Sequence, residues 1–184
     1  ATIIHFISVG QGNMVLIEAA DGKNFVFDCN ITEDNEDKVL QYVADQIGWG
    51  NPIFAFVCSH RDADHIRGVK KLHAQFPIRV VWDSDYPGTT TDSTEYIQYM
   101  ALRRKVGSRT IEKQNWEGYG RTRFRYLSAQ DKRLPKNANA QGIVIKVEHR
   151  SADKKIIQGS AILPGDSDAS CAYSHINVTA ASQI

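Results

Sequence analysis

The chain has 184 residues, 42% of them hydrophobic and 23% charged, with a formal net charge of +1. That length is roughly one domain, with enough apolar residues for one core and too few charges for wholesale disorder. No run of about 18 apolar residues occurs, so no membrane-spanning helix is expected. Nothing at Ala1 reads as a secretory leader, and an alanine in first place predicts a processed or cut chain. Cys29, Cys58 and Cys171 form no C-x-x-C pair, so a disulfide framework and a zinc finger are not expected. A reducing compartment, the cytoplasm, fits this usage.

The N-terminal third reads as strands over 3–9, 14–18 and 24–28, the last two joined by the hairpin signal Asp21-Gly22. Gly10-Gln11-Gly12 reads as a tight turn, because no helix pattern follows for a phosphate cradle. A helix is predicted over 33–47, with Val39, Leu40, Val43 and Ile47 on one face and Thr32 as its N-cap. Residues 53–58 form a continuous apolar run, as in a strand buried on both faces. A helix over 66–76 and a strand over 78–82 follow, so the alternation predicts an α/β fold. Asp92-Ser93-Thr94-Glu95 resembles a capping box before a helix to about Val106. Residues 107–122 read as loop, 123–127 as a strand, and 142–149 with 155–163 as a hairpin around Ser151-Ala152-Asp153. Pro164-Gly165-Asp166-Ser167 reads as the turn closing it.

The small net charge conceals two opposed segments. Residues 28–64 hold eight acidic side chains against Lys38 and Arg61, a net of −6, and residues 103–136 hold eleven basic ones against three acidic, a net of +8. The first suits cations and the second an anion.

The densest chemistry lies in His60-Arg61-Asp62-Ala63-Asp64-His65, directly after the buried strand and before a helix. Ligands of open α/β sheets bind beyond the carboxyl ends of strands, so place and residue types agree. Imidazole with carboxylate suits zinc, iron or manganese. In an extended segment His60 and Asp62 share a side and would serve one ion, with Asp64 and His65 at the bend facing a second. Two ions about 3.5–4 Å apart can clamp the oxygens of a displacement.

Ser59-His60-Arg61-Asp62-Ala63-Asp64-His65 resembles the metal motif H-x-H-x-D-H of the metallo-β-lactamase superfamily. It is closer to the H-x-D-x-D-H form of the branch related to the soluble domain of ComEC-type DNA-uptake competence proteins. Phe6 to Asn13 is similar to that branch's opening strand and D-V-G-Q-G-D turn. Asp21-Gly22-Lys23 with Phe27-Asp28, Asn139 with Ile143-Val144-Ile145, and Leu163-Pro164-Gly165-Asp166 match later motifs in order.

The resemblance implies a four-layer αβ/βα sandwich, one domain over 1–184 whose C-terminal portion is missing. It places His60 and Asp62 on one divalent ion, most simply zinc, and Asp64 and His65 on a second, with Asp166 bridging. Asp64 would also orient the attacking water, and Asp28 would hold the metal loop from behind. The departures are Ser8 and Asn13 in place of aspartates, Gly142 in place of a serine, and no histidine just before Asp166. The late H-H-G motif is missing, and His175 lacks its flanking residues.

Arg121, Arg123 and Arg125 alternate and would line one strand face, with Phe124 and Tyr126 on the other and Trp116 and Tyr119 upstream. Cations beside rings suit a nucleic-acid backbone and unpaired bases. The sequence thus predicts a metal-dependent hydrolase of phosphodiesters, nucleic acid among them. The alternatives are a non-catalytic metal- or nucleic-acid-binding module of the same fold, and a thiolester or lactam hydrolase. Nothing in it sets the oligomeric state.

Overall fold

The computed structural model describes residues 1–113 and 115–167, so Cys171 and His175 lie outside the described residues. Strands β1 (Ile3–Phe6), β2 (Val15–Glu18) and β3 (Asn24–Phe27) form an antiparallel meander. The Asp21-Gly22 hairpin forms as expected, with the Ala19 N–H donating to the Lys23 carbonyl at 2.8 Å. β4 (Cys29–Asn30) bridges Ile66 and Arg67, and α1 (Glu36–Ile47) follows. Then come β5 (Ala55–Val57), α2 (Ala63–Ile66), α3 (Val69–Gln75), β6 (Val81–Asp83), α4 (Thr94–Val106) and β7 (Ser108–Thr110). One six-stranded sheet has the order β1-β2-β3-β5-β6-β7, parallel from β3 onward. β8 (Trp116–Tyr119), β9 (Thr122–Ser128), β10 (Val144–Arg150) and β11 (Ile157–Leu163) build an antiparallel second sheet, in spatial order β11-β10-β9-β8.

Alternation along the strands makes the layers, because successive side chains leave opposite faces. Phe56 of β5 packs with Val39, Val43, Leu72 and Tyr99 under the helices. Its neighbours Ala55 and Val57 pack with Phe124, Tyr126, Ile145 and Val147 between the sheets. The run of residues 53–58 is apolar on both sides for this reason. The result is the mixed α/β sandwich expected, with three of its four predicted layers among the described residues.

Four expectations change. Thr32 is not the cap of α1: Asn35 holds that place, its side-chain oxygen accepting from the Thr32 N–H at 2.8 Å. At α4 the capping side chain is Ser93, which accepts from the Tyr96 N–H. The helix expected over 66–76 is split at Gly68, whose φ of 78° no helix residue adopts. The segment read as loop over 107–122 contains β7 and β8. The first is a short, exposed edge strand, and the second carries a glycine, so neither offers the alternating apolar pattern a strand normally shows.

Candidate metal centre

The site forms where β3 and β5 end side by side. Past β3 the chain turns at Asp28, whose φ of 58° is left-handed, a conformation aspartate tolerates better than most side chains. This turn sends the fully buried Asp28 carboxylate under the loop that follows β5. There it accepts from the Ser59 N–H (2.6 Å), the Ser59 hydroxyl (2.6 Å), the Asn13 amide (3.4 Å) and Nδ1 of His65 (2.8 Å). The Ser59 oxygen in turn lies 3.0 Å from Nδ1 of His60, which donates to it. Asp28 therefore sets both imidazoles, His65 directly and His60 through Ser59. Both rings are oriented with Nδ1 toward this relay and Nε2 toward the site.

The two rings lie 4.1 Å apart, and Asp166, in the turn after β11, comes to face them. Asp166 Oδ1 is 3.2 Å from His65 Nε2, and its Oδ2 is 4.0 Å from His60 Nε2. Ligand atoms of His60, His65 and Asp166 all fall within 4.8 Å of one another. Nε2 of His65 is buried and makes no hydrogen bond among the described residues. A buried nitrogen that makes no hydrogen bond is costly; its nearest polar atom is Asp166 Oδ1, and a divalent ion held by both groups would supply what it lacks. The donor set, two imidazoles and a carboxylate, fits such an ion.

The other predicted ligands stand at the rim. Asp62 caps the start of α2, and its carboxylate accepts from the Thr89 N–H (2.7 Å) and hydroxyl (2.8 Å), with Oδ2 3.8 Å from His60 Nε2. Asp64 Oδ1 is 3.9 Å from His65 Nε2. Sequence reasoning missed Ser59 and Thr89. Ser59 had a signal in its position directly before His60, whereas Thr89 is distant in sequence and had none.

Burial and the charge of His65 lower the His60 pKa. Burial also pulls His65 down, but the Asp28 hydrogen bond and the charges of Asp28, Asp166 and Asp64 override it and raise His65 to about 9. The carboxylate surround favours positive charge at this point, whether proton or metal ion.

The predicted arginines sit on the second sheet, away from this rim. Arg121 lies in the turn between β8 and β9 and donates to the Arg150 carbonyl at 2.7 Å. Arg123 and Arg125 share the outer face of β9, with Phe124 and Tyr126 in the core. Arg125 pairs with the buried Glu148 at 3.0 Å, and Arg123 lies over the Trp116 ring at 4.1 Å.

A family model described as the metallo-beta-lactamase superfamily matches residues 7–150, which contain every strand and loop of this site except the Asp166 turn. The chain belongs to the metallo-beta-lactamase superfamily. Solved structures of the superfamily superpose on it. The metallo-beta-lactamase SMB-1 bound to 2-mercaptoethanesulfonate has a TM-score of 0.57 at 10% identity, over 87% of this chain and 60% of that one. MEM-A1, a subclass B3 enzyme from a soil metagenome library, gives 0.57 at 12% identity over 86% and 58%. A Cronobacter sakazakii metallo-beta-lactamase with a HARLDQ motif gives 0.55 at 12% over 86% and 57%. At these identities the likeness is one of fold, and the chain spans about three fifths of each structure's length. No curated protein matches the chain. Membership of the superfamily leaves the substrate open.

Proposed function

We propose that the chain is a metal-dependent hydrolase of phosphodiesters, related to the competence branch of the superfamily. The observation that carries the reading is the convergence of His65, held on a buried Asp28 with its Nε2 making no hydrogen bond, with Asp166 and His60. The branch resemblance gains support from its glycine-rich motif. A side chain at Gly12 would stand 2.3 Å from the Asp64 carbonyl oxygen, so the Gly-Gln-Gly turn packs directly on the metal loop.

His60, His65 and Asp166 would hold a divalent ion, zinc by preference, and Asp62 and Asp64 would complete a second position. A bound ion supplies Lewis acidity, polarising a phosphoryl oxygen and bringing the pKa of water to about 7. Asp28 and Ser59 keep both imidazoles aimed at the centre. Asp64, partly exposed at the rim, accepts a hydrogen bond from the attacking water and so orients it. Water would add to phosphorus, the ester P–O bond would break, and the proton released by the water would pass to the departing ester oxygen, giving a phosphomonoester and an alcohol.

A second reading, a metal-binding module without hydrolytic activity, has the Thr89 clamp in its favour, since it occupies both oxygens of Asp62. Elemental analysis of the purified chain, with hydrolysis assays on bis(4-nitrophenyl) phosphate, a thiolester and a cephalosporin, separates the two. Two ions per chain and phosphodiester cleavage abolished by Asp166→Asn are expected. One ion with no turnover supports the module, and turnover of the cephalosporin or thiolester alone overturns the phosphodiester assignment.

A further inference from the structure

The outer face of the second sheet carries a positive pocket remote from the metal centre. Asp166 follows Leu163, which pairs with Ile145 on β10, whereas the pocket lies at the other end of the sheet, beside Arg150. Five residues of β10 separate the two ends, about 17 Å at roughly 3.4 Å per residue. The pocket measures about 240 Å³ and is lined by Trp116, Arg121, Arg123, Arg150 and Lys154, with no acidic side chain among its lining residues. That is below the roughly 300–1,000 Å³ of sites for drug-sized ligands, and it suits one unit of a polymer.

The sequence builds this pocket on purpose-shaped backbone. Trp116 and Gly118 alternate on one face of β8, opposite Arg125 and Arg123. With no side chain at 118 the indole lies along the strand, and Arg123 stacks on it. Trp116 is nonetheless 55% exposed. Arg150 is fully engaged, donating to Glu148 and to the carbonyls of Lys154 and Lys155. It thereby pins the β10–β11 turn, in which Lys154 takes a left-handed φ of 61°. Glu148 balances Arg125 and Arg150, and no carboxylate of the described residues pairs with Arg123. Burial, with the charges of Arg150 and Arg125, lowers the Arg123 pKa against the opposing charge of Glu148.

We infer that this pocket binds a nucleotide unit, with the phosphate taken by Arg121, Arg123 and Lys154 and the base stacked on Trp116. Rings that stack and cations that track phosphate are the two components of single-strand recognition. Arg125, spent on Glu148, is left out of the contact. The inference needs no metal and stands apart from the hydrolytic reading.

The test is fluorescence anisotropy of a labelled ten-residue thymidine oligonucleotide with the full chain, in chelator, so that turnover cannot intervene. The wild type is expected to bind, with affinity falling as salt rises. Trp116→Ala and Arg123→Ala each weaken binding about 10-fold or more, and Lys154→Ala lowers the slope of log affinity against log salt by about 0.7. Lys70→Ala, which removes an exposed cation on α3 remote from the pocket, binds as the wild type does. Circular dichroism and the urea midpoint check that each variant is folded. Competition by free thymidine monophosphate identifies the single nucleotide as sufficient, whereas competition by the strand alone identifies a polymer contact, and either supports the site. No binding by the wild type at 50 mM salt overturns the inference. So does wild-type affinity in both Trp116→Ala and Arg123→Ala, or competition by inorganic phosphate equal to that by the nucleotide.

Discussion

Asp28 is the residue on which the metal centre turns. As a strand-end carboxylate it was legible only through the family resemblance, because its left-handed φ and its four hydrogen bonds come from partners 15 to 37 residues away. Against the lowering by burial, its hydrogen bond and charge, with the charges of Asp166 and Asp64, raise the His65 pKa to about 9, so in the metal-free protein His65 holds a proton below that pH. A ligand imidazole must be neutral, and metal uptake therefore expels this proton. The sign follows: affinity for a divalent ion climbs as pH rises from 6.5 toward 9 and levels above it. Asp28→Asn keeps the backbone conformation, since asparagine also tolerates a left-handed φ. It removes the charge and loosens the ring, and is expected to weaken metal binding about 10- to 100-fold at pH 9. It also makes the climb below pH 9 shallower. Competition with a chromophoric chelator across pH measures both effects, and an unchanged profile would remove Asp28 from this role.

At the scale of elements, the parts with strong periodicity were readable and the parts set by tertiary contact were not. The apolar face of α1 is periodic, and Val39, Leu40 and Val43 are buried as that spacing requires. The cap of α1 escaped because Asn35 is chosen by what lies around it, its amide donating to the carbonyls of Asn30 and Val9. The division of α2 from α3 likewise depends on a neighbour. A side chain at Gly68 would stand 2.5 Å from Cβ of Ile31 and 2.7 Å from its carbonyl oxygen, so the segment just past β4 and the start of α3 meet only through a glycine. Gly68→Ala adds a left-handed φ penalty of about 1–2 kcal/mol to that collision, and a total loss of at least about 2 kcal/mol is expected. Urea unfolding reads it. Because α2 carries His65 into this junction, the same variant is expected to bind metal more weakly, and wild-type stability would show that the junction gives way freely.

For the molecule as a whole, the two charged segments seen in the sequence are poor guides to its surface field. Several cations of the basic segment are spent on internal partners: Arg103 on Asp83 and Asp85, Arg109 on Glu117, Arg125 on Glu148 and Arg133 on Asp131. The Arg103 and Arg125 pairs are invisible to a count along the chain, because Asp83, Asp85 and Glu148 lie outside the basic segment and are brought to it only by the fold. The Asp83 cluster also ties the layers together. Asp83 ends β6 and accepts from Tyr99 (2.7 Å) and Arg103 (2.9 Å) of α4, and from Arg61 (2.9 Å) of the metal loop. Burial pushes its carboxyl up, but Arg61, the Tyr99 hydrogen bond and Arg103 outweigh that and hold it below its ordinary 3.8. A depressed folded value means that the cluster contributes its full stability above about pH 3.8 and loses it as pH falls through the folded value. Asp83→Asn leaves Arg61, only 5% exposed, with the half-exposed Asp85 at 3.1 Å as its remaining carboxylate partner. A loss of about 3 kcal/mol at pH 7, the low end for breaking a buried pair, is expected, together with a flatter acid limb in urea midpoints taken from pH 7 down to 3. Since Arg61 adjoins His60, the helical layer and the metal loop should fail together in this variant. Metal-loop order that survives loss of the cluster would show instead that the Asp28–Ser59 relay holds the site alone.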